Sequence, residues 1–127
     1  MANILIVDDE PYVREMLCAA LAREGHRTAT AVNGLQALQV LEEQGPFDTV
    51  ISDYRMPILD GRQLTQSILS RKDAVPVILV SGDPDVLLFK EVFMALEKPI
   101  DLKSLIAAVD AAVLYHSSAA WGKASPT

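Results

Sequence analysis

Short apolar runs separated by amphipathic stretches set the strongest limit on how this chain of 127 residues can fold. Ile4-Leu5-Ile6-Val7 is continuous and largely β-branched, the pattern of a strand covered on both faces. Pro11 to Arg23 spaces Val13, Met16, Leu17, Ala20 and Leu21 along one helix face, with Pro11 suited to the first turn and Gly25 to the stop. His26 to Ala31 is short and half polar and reads as an edge strand. Asn33 is placed to cap a second helix carrying Leu35, Leu38 and Leu41, stopped by Gly45-Pro46. A third strand runs from Phe47 to Ser52 and ends at Asp53. A loop with Pro57 and Gly61 leads to a third helix over about 63–70, with Leu64 and Ile68 facing inward. Val75 to Val80 is the most strand-like run, and Pro76 belongs at its entrance because proline cannot donate to a ladder. A short helix over about 85–92 and a weak strand, Met94 to Glu97, follow. Asp101 then caps a last helix striped by Leu102, Leu105, Ile106, Val109 and Val113.

Five strands alternating with five helices predict an α/β fold: one doubly wound (βα)5 domain around a five-stranded parallel sheet. Its expected strand order is flavodoxin-like, 2-1-3-4-5, with right-handed crossovers. The domain is expected over 1–115. The pattern dissolves after Tyr115, and 116–127 reads as a tail or a truncated linker.

Composition narrows the function classes. With 17 Asp+Glu against 11 Lys+Arg, the net charge of −6 argues against direct nucleic-acid binding, which rests on cations neutralising phosphates. The lone Cys18 cannot form an internal disulfide or a cysteine-based zinc site. No apolar run approaches the roughly 20 residues of a membrane span. The apolar N-terminal run stops after Val7 at three acids, too soon for a signal-peptide core. A soluble protein of the cytoplasm is the expectation, with no membrane partner.

In an open parallel sheet, functional groups collect just past the carboxyl ends of the strands. Strand one ends in Asp8-Asp9-Glu10, strand three in Asp53, strand four in Ser81-Gly82-Asp83 and strand five in Lys98-Pro99. Three carboxylates, a hydroxyl and a lysine thus converge from four segments. Crowded carboxylates raise one another's pKa unless a cation intervenes, and a hard divalent ion with oxygen ligands fits. A carboxylate can also act as nucleophile toward phosphorus, giving an aspartyl phosphate. Catalysis of such a transfer is mostly positioning and charge neutralisation, tasks for the metal, Lys98 and the Ser81 hydroxyl. Singly, each residue has a plain structural reading: Asp8, Asp9 and Ser81 as caps or turn residues, Lys98 as a solvated lysine. Their co-occurrence at consecutive strand ends is what points to a site. His26, His116 and Cys18 keep plain readings as loop, tail and packed helix residues.

At these residues the chain resembles the receiver domain of two-component response regulators, over about 4–113. Asp53-Tyr54-Arg55-Met56-Pro57-Ile58-Leu59-Asp60-Gly61 is similar to that family's D-x-x-M-P-x-x-D-G signature, and Asp8-Asp9, Ser81 and Lys98-Pro99 fall in its order. The resemblance implies that Asp53 accepts a phosphoryl group from the phosphohistidine of a histidine kinase or phosphotransfer protein. It implies magnesium (or manganese) held by Asp9 and Asp53, by Asp8 through a water, and by the main-chain carbonyl of Arg55. Lys98 would pair with phosphoryl oxygens, Ser81 would bond one of them after transfer, and Lys98-Pro99 would be cis. Autodephosphorylation would reset the switch. Met1, two residues ahead of the first strand, would then fit a natural N-terminus of a regulator.

Two departures and one local feature modify that expectation. The family's aromatic switch position, three residues before the lysine, is Ala95, which has no rotamer to turn. Lys98 follows Ser81 by only 17 positions, about one helical turn less than usual, so the fourth helix must be shortened. Its sequence, Val86-Leu87-Leu88-Phe89 and Val92-Phe93, is apolar nearly all round, and it either tucks into the core or exposes a surface for a homodimer or output partner near the fourth and fifth helices. Arg55 and Asp83 stand where an ion pair over the site would slow hydrolysis. The main rival function is a degenerate receiver-like interaction module that works without phosphorylation, favoured by Ala95 and the short helix. A flavodoxin-type mononucleotide binder needs a phosphate-cradling loop where Asp8-Asp9-Glu10 stands, and an aspartyl phosphatase needs a cap for which the chain has no room.

Overall fold

The strands β1 (Asn3–Val7), β2 (Arg27–Ala31), β3 (Thr49–Asp53), β4 (Val77–Ser81) and β5 (Met94–Glu97) pair in parallel in the order β2-β1-β3-β4-β5. This computed structural model describes residues 1–124. The connections are α1 (Pro11–Arg23), α2 (Gly34–Gln44), α3 (Gly61–Leu69) and a 3-10 helix (Pro84–Leu88), followed by α4 (Leu102–His116) and α5 (Ala119–Ala124). The expected doubly wound domain is the observed one.

Alternation along the strands divides the core into two layers. Ile4, Ile6, Ile51 and Ile78 pack with Leu17 and Leu21 of α1 and Leu105 and Val109 of α4. Leu5, Val7, Val50 and Val77 pack on the other face with Leu41 of α2 and Leu64 and Ile68 of α3. Each such fully buried aliphatic side chain is worth about 1.5–3 kcal/mol. With helices on both faces, the strands can be apolar throughout, as Ile4 to Val7 is.

Local signals explain most boundaries. Gly25 adopts φ +85° just past the α1 C-cap, a left-handed conformation that glycine takes without a Cβ penalty. The Asn33 side chain accepts from the Gln36 amide at 2.8 Å, the cap expected for α2. Pro76 precedes β4, and its carbonyl accepts from both Thr49 Oγ1 and the Val50 amide, joining β4 to β3 at its entrance.

Four expectations shift. α3 starts two residues earlier than expected, because Asp60 and Gln63 form a reciprocal capping box. Asp101 occupies the N-cap of α4, but its carboxylate accepts from the Ser104 hydroxyl and makes no bond to a backbone amide. The expected helix over 85–92 is a 3-10 helix of five residues. Pro84 starts it and the Asp83 side chain caps it, but Phe89 is extended and ends it. At about 2.0 Å rise per residue, a 3-10 turn covers more distance with fewer residues than an α-helix, which suits this short crossover. Val86 is buried whereas Leu87 and Leu88 are exposed, so the segment is half core and half surface. Finally, the stretch after 115 does not dissolve at once: α4 continues to His116, and α5 follows. Trp121 anchors α5 by donating from Nε1 to the Ala74 carbonyl at 3.2 Å and meeting Tyr115 edge-on. A single aromatic anchor has no periodicity, so the sequence pattern did not reveal it.

Candidate functional site

Register brings the functional residues to one edge. Val7 pairs with Ser52, Asp53 with Val80, and Ser81 with Glu97, so β1, β3, β4 and β5 end side by side. Asp53 and Ser81 are the last residues of β3 and β4, and Asp8 and Lys98 are the first residues past β1 and β5. The site thus lies beside the point where strand order reverses, between β1 and β3.

Three carboxylates meet there. Asp8, Asp9 and Asp53 each place an oxygen within 4.8 Å of the others. Asp8 and Asp53 are buried, and Asp9 is exposed at the mouth. Lys98 Nζ lies 3.4 Å from Asp53 Oδ1 and 3.8 Å from Asp8 Oδ2, bridging the two buried acids. Asp8 is fixed from two sides: its Oδ1 accepts from the Glu10 amide at 2.9 Å, and its carbonyl accepts from Arg14 Nη1 at 2.7 Å. Ser81 is buried, and its Oγ accepts from the Asp83 amide at 3.1 Å.

One lysine does not offset the crowding. Burial pushes the Asp53 carboxyl above the usual aspartate range; Lys98 pulls it down, and Asp9 adds to the rise. Burial also raises Asp8, opposed by the Glu10 amide and Lys98 and reinforced by Asp53 and Asp9. Oxygen-only ligands with excess negative charge and partial burial suit a hard divalent cation better than a soft metal. The residues present therefore fit magnesium.

Other expected residues sit around this cluster. Arg55 is two residues past Asp53, its side chain exposed, and it forms an ion pair with Asp83. The pair is mutual in effect: the Asp85 amide and then Arg55 hold the Asp83 carboxyl below its ordinary range. Ala95 sits in β5 opposite Leu79, with no side chain able to swing. The Lys98-Pro99 bond is cis, as expected, and Gly45-Pro46 is cis too. Gly61 is required by close approach, since a Cβ there would lie 2.4 Å from the Asp53 carbonyl oxygen and 2.5 Å from Leu79 Cδ1.

Sequence reasoning missed a second cluster. Tyr54 meets Phe89 edge-on with ring centroids 5.1 Å apart. The Arg62 guanidinium lies 4.3 Å above the Phe89 ring and pairs with Glu91, while Arg55 lies 4.8 Å from the Tyr54 ring. Arg62 and Glu91 are separated by 29 positions, so no local spacing links them. The one local signal was the aromatic Tyr54 directly after Asp53.

The sequence profile of the response regulator receiver domain matches residues 4–110. The chain belongs to that family. This receiver domain is 37% identical over 117 residues to the transcriptional regulatory protein GlrR of Escherichia coli, covering 88% of this chain and 26% of that protein. It is 38% identical over 120 residues to the regulatory protein AtoC of the same organism, covering 91% and 26%. It spans about a quarter of the length of these curated relatives. Among solved structures, the response regulator TrrA of Thermotoga maritima in complex with Mg(2+)-BeF is similar at a TM-score of 0.80 and 31% identity, covering 87% of this chain and 98% of that one. Receiver domains are signalling switches of two-component systems, in which phosphorylation and magnesium binding are typical and histidine kinases or phosphotransfer proteins are the partners. Among the described residues, no helix is long and apolar enough to cross a membrane.

Proposed function

We infer that this receiver is a phosphoacceptor switch, charged at Asp53 by a histidine kinase or phosphotransfer protein. The observation that carries this reading is the convergence of Asp8, Asp9 and Asp53 within 4.8 Å, with Lys98 Nζ 3.4 Å from Asp53. Structural packing alone gives no reason to gather three carboxylates at one sheet edge.

An Asp53 carboxylate oxygen attacks the donor phosphorus. The O–P bond forms as the N–P bond of the phosphoimidazole breaks, and that electron pair returns to the imidazole nitrogen. Lys98 offers its ammonium to the phosphoryl oxygens, and Ser81 turns its hydroxyl to donate to one of them. Asp8, Asp9, Asp53 and the main-chain carbonyl of Arg55 would hold magnesium or manganese, which supplies positive charge against the phosphoryl oxygens when bound. The complex of TrrA with Mg(2+)-BeF supports that requirement. Water later attacks phosphorus and the Asp53 O–P bond breaks, releasing inorganic phosphate and restoring the carboxylate. The water's proton leaves with phosphate or solvent. The Arg55–Asp83 pair screens the phosphoryl group and slows this step; it fails in that role if Arg55→Ala leaves the autodephosphorylation rate unchanged.

The protein acts in the cytoplasm through the receiver domain, whose last helix runs one residue past the expected boundary at 115, with α5 packed against it at the start of the link to an output. Exposed Leu87 and Leu88 support a homodimer or output partner near the 3-10 helix and α4. Light scattering with and without a phosphoryl mimic tests the dimer, which predicts a doubled mass only with the mimic. Ala95 and the short crossover favour one second reading, an interaction module that is never phosphorylated. Magnesium-dependent labelling by a small phosphodonor, present in the native chain and lost in Asp53→Asn, supports the switch, and no labelling supports the module.

A further inference from the structure

Asp83 is a junction. Its amide donates to Ser81 Oγ at 3.1 Å, one carboxylate oxygen pairs with Arg55, and the other accepts from the Asp85 amide at 2.9 Å to cap the 3-10 helix. Ser81, at the end of the strand beside β3, and Arg55, two residues past Asp53, therefore both hold the start of the β4–β5 connection. At the far end of that connection, Phe89 leans edge-on against Tyr54 beneath the Arg62 guanidinium, and Glu91 pairs with Arg62. Between these anchors Val86 is buried, but Leu87 and Leu88 face solvent. The segment is thus fastened at two ends, with a half-exposed 3-10 helix between them, and such segments belong to the less stable parts of a fold.

We propose that the Tyr54–Phe89 contact is the switch readout of this receiver, taking the task that Ala95 cannot perform, and that Asp83 is the lever that moves it. The proposal rests on the reading of Asp53 as phosphoacceptor. When Ser81 turns toward the phosphoryl group, its Oγ gives up the Asp83 amide. The new charge draws the Arg55 guanidinium inward, since a charge-assisted bond to a phosphoryl oxygen is stronger than a neutral one. Asp83 stays paired with Arg55 and travels with it. The 3-10 helix it caps is pulled along, Phe89 slides off the Tyr54 edge, and the Arg62–Glu91 pair holds the pivot. Leu87 and Leu88 ride on the moving part, so the exposed apolar face changes with the phosphorylation state.

The test is fluorine NMR of the full chain labelled with fluorophenylalanine, with the Phe89 line assigned by its loss in Phe89→Leu. Spectra are taken before and after phosphorylation by acetyl phosphate with magnesium, with intact mass recorded on the same samples. The Phe89 line is expected to move by more than its width on phosphorylation, and to stay still in Asp53→Asn. In Asp83→Asn, phosphorylated to the same extent, it is expected to remain where it began. A phosphorylated native sample with an unmoved Phe89 line overturns the readout while leaving the phosphoacceptor intact. A line that moves as fully in Asp83→Asn as in the native chain overturns the lever. Absence of any phosphoryl adduct overturns the phosphoacceptor reading, and the proposal with it.

Discussion

The two sides of the candidate site are held in opposite ways. On one side, Asp8, Asp53 and Ser81 are buried at or beside strand ends, so the sheet fixes where their side chains go. On the other, Arg55, Asp83, Arg62 and Glu91 lie on loops and a helix surface and hold one another through side-chain pairs in contact with solvent. Buried carboxylates fixed by a scaffold interact strongly, whereas exposed pairs are screened and weakly committed. The difference is one of commitment: the sheet holds the backbone positions of the buried residues, whereas the exposed pairs are contacts that are easily exchanged.

The comparison breaks most sharply at Lys98. Lys98 bridges the two buried acids of the rigid side, and if that side carries the chemistry, Lys98→Ala slows labelling at Asp53 by roughly 10²–10³-fold, as loss of one transition-state donor does elsewhere. Arg62→Ala at the exposed side leaves the labelling rate unchanged. Stopped labelling with a small phosphodonor, read by intact mass, checks both.

Gly61 tests whether the scaffold itself sets the acceptor. The added Cβ of Gly61→Ala meets backbone at Asp53 and the Leu79 side chain, so the substitution costs about 1–3 kcal/mol in urea unfolding despite alanine's better helix propensity. It also slows labelling if Asp53 is the acceptor, because the clash falls on the carbonyl of Asp53.

A smaller effect comes from charge. Asp8 and Asp53 have carboxyls raised above the ordinary range, so the folded state binds protons more tightly than the unfolded chain. Their contribution to stability is complete below the ordinary aspartate value of about 4 and is lost as pH rises through their elevated folded values. Metal-free protein is therefore expected to lose stability over that window, and Asp8→Asn to flatten the loss. Magnesium at about ten times its dissociation constant restores about 1.4 kcal/mol at neutral pH, read as a higher Tm. The smallest effect belongs to the aromatic contact: the Tyr54–Phe89 coupling, read from a double-mutant cycle in unfolding so that the Arg62 contact also lost in Phe89→Ala cancels, is worth about 1 kcal/mol.

The same contrast governs what could be read from the sequence. The strands, α1, α2 and the acid-hydroxyl-lysine set were legible because parallel βα repetition delivers strand ends to one edge, whatever the loops do. The capping box at Asp60 and Gln63 was legible in principle, since its spacing is local. The 3-10 crossover was foreseen as short but not in kind, because Val86, Leu87 and Leu88 give no helical period over five residues. Phe89 on Tyr54, Arg62 on Glu91 and Trp121 on Ala74 join residues far apart in the chain, through contacts that only the folded backbone creates.

The central claim is that Asp53 takes a phosphoryl group in a magnesium-dependent reaction. Intact-mass spectrometry of the full chain after incubation with acetyl phosphate and magnesium tests it directly. The account predicts one phosphoryl adduct per chain, absent when the metal is chelated beforehand and absent in Asp53→Asn. An adduct that persists in Asp53→Asn, or no adduct on the native chain, would contradict it.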